Sequence, residues 1–271
     1  MMFDNFLQHW HLTPDGHPIT THGADLLPVR QHGRPAMLKL AHEAEEQAGA
    51  QLMIWWNGDG AAPVLAHDER ALLLQRATGP ASLTKMVRDA DDDQATRILC
   101  RVAARLHAPR PQPLPALVPL TRWFDALLNG SHDPLLQTCA ATARELLATP
   151  RDVTVLHGDI HHGNVLDFGP SGWLAIDPKG LYGERGFDYA NLFCNPDGHS
   201  ALFHFAQRLD TVSNASGIER RRLLQWILAW AGLSACWMDE DGGDPAHLRE
   251  VAKLAAAALN QGVQSTRCSS R

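Results

Sequence analysis

Cysteine is sparse and unpaired in this chain. Cys100, Cys139, Cys194, Cys236 and Cys268 are five in 271 residues, odd in number and far apart. That excludes a disulfide framework and any close-spaced thiolate metal centre; it suits reduced thiols and a cytoplasmic location. Long apolar runs are missing as well. The longest, Leu223 to Met238, has sixteen residues and is interrupted by Gln225 and Ser234. A bilayer crossing takes about 20, so the run reads as a buried helix and no membrane partner is expected. The opening MMFDNFLQHWHL lacks the basic and apolar regions of a secretory signal. Positive charge is short: 24 Lys and Arg against 30 Asp and Glu, a formal net charge of −6. That argues against nucleic acid and anionic membranes as partners and tilts toward a cationic one. No internal repeat is found.

What is present suits a globular protein. With 45% hydrophobic and 20% charged residues, the chain can bury a core as one large domain or two lobes. Up to about residue 77 the texture is mixed. ITT (19–21), LLPVR (26–30) and PAMLKLA ending near Lys39 read as strands. HEAEEQAGAQLMIWW (42–56) reads as a helix, acidic at its start and stopped by NGDG. APVLAH and RALLLQR add two strands, giving five strands and one helix. Beyond residue 77 the pattern is mainly helical: DADDDQATRILCRVAARLHA, closed by the proline-rich PRPQPLPALVP, then TRWFDALL, LLQTCAATARELL, SALFHFAQRLD, IERRRLLQWILAWAGLSACWM and PAHLREVAKLAAAAL. Short strands interrupt them only at DVTVL (152–156) and at NVLDF and WLAID, a pair joined by GPSG. Two units are expected: residues 1–77, and residues 78–271. The tail from Ser265 is polar and reads as frayed.

The chemistry concentrates in LHGDIHHGNVLDFGPSGWLAIDPKG, residues 156–180. Asp159 sits five residues before Asn164, and Asp177 eighteen after Asp159. Phosphoryl transfer uses such a set. One carboxylate orients the attacking hydroxyl and accepts its proton, while oxygen ligands hold Mg²⁺ between phosphates. Asp159 on a tight loop suits the first task. Asn164 at the loop's exit and Asp177, ending the second hairpin strand, can converge on one ion because the hairpin folds back.

HGDIHHGN resembles the H-G-D-x-x-x-x-N catalytic loop of antibiotic and small-alcohol kinases, relatives of protein kinases. From Gly158 to Phe193, and more weakly over AMLKLA, WWNGDG, LLLQRATG and LSACWMDEDGG, the chain resembles the aminoglycoside/hydroxyurea phosphotransferase family. The resemblance implies an α+β, protein-kinase-like bilobal fold: a small lobe with an antiparallel sheet and one main helix, and a larger helical lobe. It implies ATP and Mg²⁺ as cofactors, Asp159 as catalytic base, and Asn164 and Asp177 as metal ligands. His157 would brace the loop, and Asp188, starting a helix in GFDYAN, would tie back to it. Lys39, one of only four lysines, would bind the α- and β-phosphates, paired with Glu46 or, alternatively, Glu43. Backbone at Gln75 to Ala77 would read adenine. Asp239, Glu240 and Asp241 are the substrate candidates, since acidic residues of the family's last helices face cationic sugars. The implied reaction moves the γ-phosphate of ATP to a hydroxyl of a small cationic acceptor, such as streptomycin, in a monomer or weak homodimer.

Three departures stand out. THGADLL, where a phosphate-covering loop belongs, has one glycine, Gly23. The metal aspartate lies in DPKG, so Lys179 either meets phosphate or pairs with Glu184 or an aspartate. The small lobe is short. Rival readings are a kinase for a sugar, amino alcohol or hydroxyurea-like acceptor, a nucleotide-binding pseudokinase, and a metallophosphoesterase. The last is disfavoured because Val165, not histidine, follows Asn164. Adjacent His161 and His162 diverge, favouring loop packing or substrate contact over zinc. Trp226, Trp230 and Trp237 read as a core stripe before a substrate shelf.

Overall fold

The computed structural model describes residues 2–130 and 133–268, with side chains as far as Gln261. The N-terminal part is built on strands β1 (Leu12–Pro14), β2 (Ile19–Thr20), β3 (Ala24–Gln31), β4 (Arg34–Ala41), β5 (Val64–His67) and β6 (Ala71–Gln75). They form one antiparallel sheet in the order β1-β3-β4-β6-β5, with β2 also on β3. Strand alternation gives the sheet two faces. Leu27, Val29, Leu38, Leu40 and Leu73 point to one side, where Phe3, Phe6, Leu7 and Trp10 cover them. Phe6 lies within a short helix α1 (Asp4–His9), and Trp10 is the residue after it. Leu26, Met37, Lys39, Leu72 and Leu74 point to the other side and line a cleft. The sheet thus has six strands rather than five and an extra helix. An eight-residue strand that is apolar on both faces needs a cover on the side away from the cleft.

Helix α2 (Ala44–Trp56) packs across the cleft side. Glu46, Gly49, Ala50 and Met53, spaced three, four and seven residues on, share the face that lines the cleft. Asn57, left-handed at φ 48°, ends the helix.

The remainder is mostly helical: α3 (Leu83–Arg88), α4 (Asp92–Leu106), α5 (Leu120–Trp123), α6 (Asp125–Asn129), α7 (Pro134–Ala148), α8 (Gly186–Asn191), α9 (Gly198–Phe203), α10 (Phe205–Ser216), α11 (Arg220–Glu240) and α12 (Ala246–Cys268). TRWFDALL is broken at Phe124 into α5 and α6, and SALFHFAQRLD at His204 into α9 and α10. Helix α11 is buried almost all round from Arg222 to Cys236; no helix among the described residues is long and apolar enough to cross a membrane. Its charged start is paid for by Glu184, which accepts from Arg222 Nε at 2.9 Å and Trp226 Nε1 at 2.7 Å. Cys100, Cys139, Cys194 and Cys236 are buried and free; the Cys268 side chain lies outside the described ones.

Two small strand sets sit among these helices. β7 (Val118–Pro119) and β8 (Val153–Leu156) flank β11 (Leu181–Glu184). β9 (Val165–Asp167) and β10 (Trp173–Ala175) pair antiparallel across a 3₁₀ turn at Gly169–Ser171. This hairpin is tied to the N-terminal part: Ala62 N–H donates to Ala175 O, Ala175 N–H to Gly60 O, and Gly79 N–H to Asp167 O, each at 2.9 Å.

Candidate active site

The loop leaving β8 is held from below by Asp188. This carboxylate is wholly buried at the start of α8. It accepts from His157 N–H and Gly158 N–H at 2.8 Å each, and from His107 Nε2 at 2.8 Å. Burial pushes its pKa up, but the His107 bond and charge and the loop amide outweigh that and leave it below the usual range. Gly158 has φ +88°, and a Cβ there would stand 2.9 Å from the side chains of Leu181 and Lys179, so glycine is required. His157 is equally buried. Its Nε2–H donates to Ile176 O at 2.9 Å, while Nδ1 accepts from Asp159 N–H at 3.2 Å. These bonds select the neutral tautomer, and burial, against the pull of Asp188 and Asp159, lowers its pKa. Its ring stacks on Trp56 at 6.2 Å between centroids.

Asp159 therefore leaves a rigid base. Asn164 Nδ2 donates to Asp159 Oδ2 at 3.1 Å and to its backbone oxygen at 2.9 Å. Asn191, at the end of α8, donates to Oδ1 at 3.0 Å, and is itself held by Asn195 at 3.0 Å. With its nitrogen on Asp159, Asn164 leaves its amide oxygen without a protein partner among the described residues. Asp177 does not end the hairpin strand: β10 stops at Ala175, and Asp177 lies two residues on in the left-handed region at φ 61°. That conformation costs roughly 1 kcal/mol for a non-glycine residue, and aspartate tolerates it better than most.

Asp177 ion-pairs with Lys39, which also pairs with Glu46. Glu46 is shared with Lys179 at 3.6 Å, and Lys179 reaches Glu45 at 3.0 Å. An alternating chain Asp177–Lys39–Glu46–Lys179–Glu45 results. Glu43, the alternative partner for Lys39, is the residue before α2 and is not in the chain. Lys179 does not pair with Glu184, which is taken up by Arg222 and Trp226. Burial pulls the Lys179 pKa down, but its bond to Glu45 and the neighbouring carboxylates raise it overall. Burial raises the Asp177 pKa, and Lys39 more than compensates, so it lies below the ordinary value.

The glycines of this region are close-approach residues. A Cβ on Gly49 would lie 2.1 Å from Pro178 O, and one on Gly180, at φ +70°, 3.1 Å from Ala48 Cβ. Helix α2 thus seats directly on the DPKG loop. A Cβ on Gly23 would stand 2.9 Å from Glu46 Cγ. The single glycine of the β2–β3 turn lets Thr21–Gly23 come down over the charge chain.

Two cavities meet here. One of about 460 Å³ lies under the sheet and is lined by Lys39, Glu46, Gln75, Ala77, Asn164 and Asp177, with apolar Leu72, Leu74, Leu166 and Phe168 around them. Gln75 and Arg76 N–H already donate to Pro63 O at 2.9 Å and Pro35 O at 3.3 Å; Ala77 N–H has no protein partner among the described residues. The other, about 910 Å³, is lined by Asp159, Asn191, Lys179, Glu45, Asp125, Arg122, Asp241 and the tryptophans Trp123, Trp230 and Trp237. Only Asp241 of the three acidic candidates reaches it. Asp239 faces the other way and binds Arg249 of α12 at 3.2 Å, and Glu240 is exposed outside the cleft; each step along a helix turns the side chain by a large angle. Sequence reasoning missed Asp125, Glu45, Asn191 and Trp123. Only Asn191, one helical turn past Asp188, carried a local signal. Trp226 is core, whereas Trp230 and Trp237 are the edge-on aromatic wall of the cleft, 5.8 Å apart. His161 accepts from Gly163 N–H at 3.0 Å, His162 is buried, and no cluster of metal-binding His, Cys, Asp or Glu is found among the described residues.

The family model for the aminoglycoside/hydroxyurea antibiotic resistance kinase matches residues 9–242. The chain belongs to that family. It is an O-phosphotransferase. It is 50% identical over 244 residues to a streptomycin 3''-kinase of Klebsiella pneumoniae, covering 87% of this chain and 92% of the relative. It is 32% identical over 269 residues to a streptomycin 6-kinase of Streptomyces glaucescens, covering 90% and 85%. In fold, this kinase is similar to a choline/ethanolamine kinase family protein of Mesorhizobium loti, with a TM-score of 0.65, 17% identity, and 95% and 94% of the two chains covered. The protein-kinase-like bilobal fold expected from the sequence is the one found.

Proposed function

We propose that this kinase moves the γ-phosphate of ATP to a hydroxyl of a streptomycin-type aminoglycoside, acting in the cytoplasm. The observation that supports this most is the seam between the two cavities. Asn164 bonds Asp159 in one cleft and lines the other together with Asp177. In this reading residues 1–77 form the nucleotide lobe and 78–271 the catalytic and acceptor lobe. Apolar side chains of the smaller cavity sandwich adenine beside Gln75–Ala77, and Lys39, positioned by Glu46, meets the α- and β-phosphates.

The donor set suits Mg²⁺: one carboxylate and one free carboxamide oxygen, both hard, leaving positions for phosphate and water. When bound, the ion would neutralise phosphate charge, with Asn164 and Asp177 holding it. Asp159 orients the acceptor hydroxyl and takes its proton as the oxygen bonds to phosphorus and the bond to ADP breaks. His157 and Asp188 hold the loop that carries it.

In the acceptor cleft Glu45, Asp125, Asp159 and Asp241 outnumber Arg122 and Lys179. That balance, with tryptophan faces alongside, favours a cation with guanidinium or ammonium groups over a neutral sugar. The two relatives are named for different hydroxyls, so the modified position is to be read directly. Purified protein with ATP and streptomycin should give a singly phosphorylated product, its position assigned by phosphorus–proton NMR. Asp159→Ala should lower turnover by about 10²–10⁴. A normal rate in that variant, or no product with streptomycin, overturns the reading.

A further inference from the structure

We propose that Lys179 is the cation that meets the γ-phosphoryl group as it passes from the nucleotide cavity to the acceptor cleft. This rests on the phosphoryl-transfer reading above. Lys179 lines the acceptor cleft together with Asp159, and also the smaller recess under the Thr21–Gly23 turn together with Asp177 and Glu46. Among the described residues it is the only lysine or arginine on both. Lys39 lines the nucleotide cavity and Arg122 the acceptor cleft, and neither lines the other space. Lys179 is thus shared by the space that holds Asp177 and the one that holds Asp159.

The backbone under this side chain is fixed. Lys179 N–H donates to His157 O at 2.7 Å. Pro178 O is pressed against Gly49, and Gly180 against Ala48. The ammonium stands on a flexible four-carbon stem on the loop that carries Asp177, and that backbone bond to His157 ties it to the loop that carries Asp159. It rests on Glu45 at 3.0 Å and Glu46 at 3.6 Å. Glu45 is about two-fifths exposed, so this pairing is water-screened and readily exchanged. A terminal phosphate offers three anionic oxygens in its place.

The transfer balances without a bond to lysine. The bond from the γ-phosphorus to the β-phosphate oxygen breaks and ADP takes that electron pair. The acceptor oxygen bonds to phosphorus, and its proton goes to Asp159. Lys179 stays protonated and counters the charge on the equatorial oxygens, a task for which a single cation can matter by orders of magnitude.

The test reads binding before activity. Wild type, Lys179→Met, Lys179→Gln and Lys179→Arg are titrated calorimetrically with Mg²⁺ and either ADP or a non-hydrolysable ATP analogue, without acceptor, and their melting temperatures are recorded. Wild type should prefer the triphosphate. The Met and Gln variants should lose that preference by about tenfold while holding ADP as before, and Arg should restore most of it. Turnover in Met and Gln should fall on the order of 10². An unchanged triphosphate-to-diphosphate ratio in whichever neutral variant folds overturns the assignment, as does equal loss for both nucleotides, which marks a merely structural lysine. If wild type binds neither nucleotide, the phosphoryl-transfer reading itself fails.

Discussion

Asn191 donates its side-chain amide to Asp159 Oδ1 at 3.0 Å, from a helix 32 residues further along the chain. Asn164 holds the other oxygen, so the proposed base is gripped from both sides and cannot rotate away from the cleft. Removing one grip costs orientation rather than charge. Asn191→Ala should lower kcat roughly tenfold with the KM for ATP unchanged, because Asn191 does not line the nucleotide cavity. Asn191→Asp should be worse, since it sets a second carboxylate against Asp159. Steady-state kinetics beside thermal melts separate this from simple destabilisation.

Gly49 tests the seating of α2. Glycine to alanine in mid-helix ordinarily stabilises by up to about 1 kcal/mol. Here the new methyl would lie 2.1 Å from a backbone carbonyl of the DPKG loop. The sign should reverse: Gly49→Ala is expected to destabilise by about 1–3 kcal/mol and to weaken nucleotide binding, because Asp177 and Lys179 are pushed off their positions. A denaturant melt that shows stabilisation would disprove the close contact.

Stability should fall on the acid side, starting below neutrality. His157 is buried neutral with a lowered pKa. The unfolded chain takes a proton near pH 6.5 and the folded one only lower, so stability declines as pH drops from about 6.5 towards the folded value. Asp188 acts later: its folded pKa is depressed, so its contribution is present above about pH 4 and is lost as pH falls through the folded pKa. Melting temperatures of wild type and His157→Gln between pH 4 and 8 check this; the variant, though less stable, should show a flatter slope between about 6.5 and 5.

Acceptor choice should follow the cleft carboxylates and not the acidic tail of α11. Asp125→Asn and Asp241→Asn should each raise the KM for a cationic acceptor several-fold, about what a partly exposed ion pair supplies, and leave the KM for ATP alone. Asp239→Asn should change neither, because that carboxylate is turned to Arg249. An Asp239 variant with the larger effect would place the acceptor elsewhere.

The sequence by itself determined most of the elements and the residues proposed for the phosphate end. Strand alternation put Lys39 on one face of its strand, the acidic start of α2 offered it a carboxylate partner, and the offsets around HGDIHHGN set Asp159 and Asn164 on one loop with Asp177 just past the hairpin that follows. These patterns repeat within a few residues, so the local chain records them. Tertiary structure decided the rest. It chose Glu46 over Glu43, gave Lys179 to Glu45 rather than Glu184, brought Asn191 under Asp159, and selected Asp241 and Asp125 while turning Asp239 away. It also laid α1 on the far face of the sheet. Each of these depends on how far one helix is rotated or slid against another, a quantity fixed by packing between segments distant in sequence, and no local pattern of residue types encodes it.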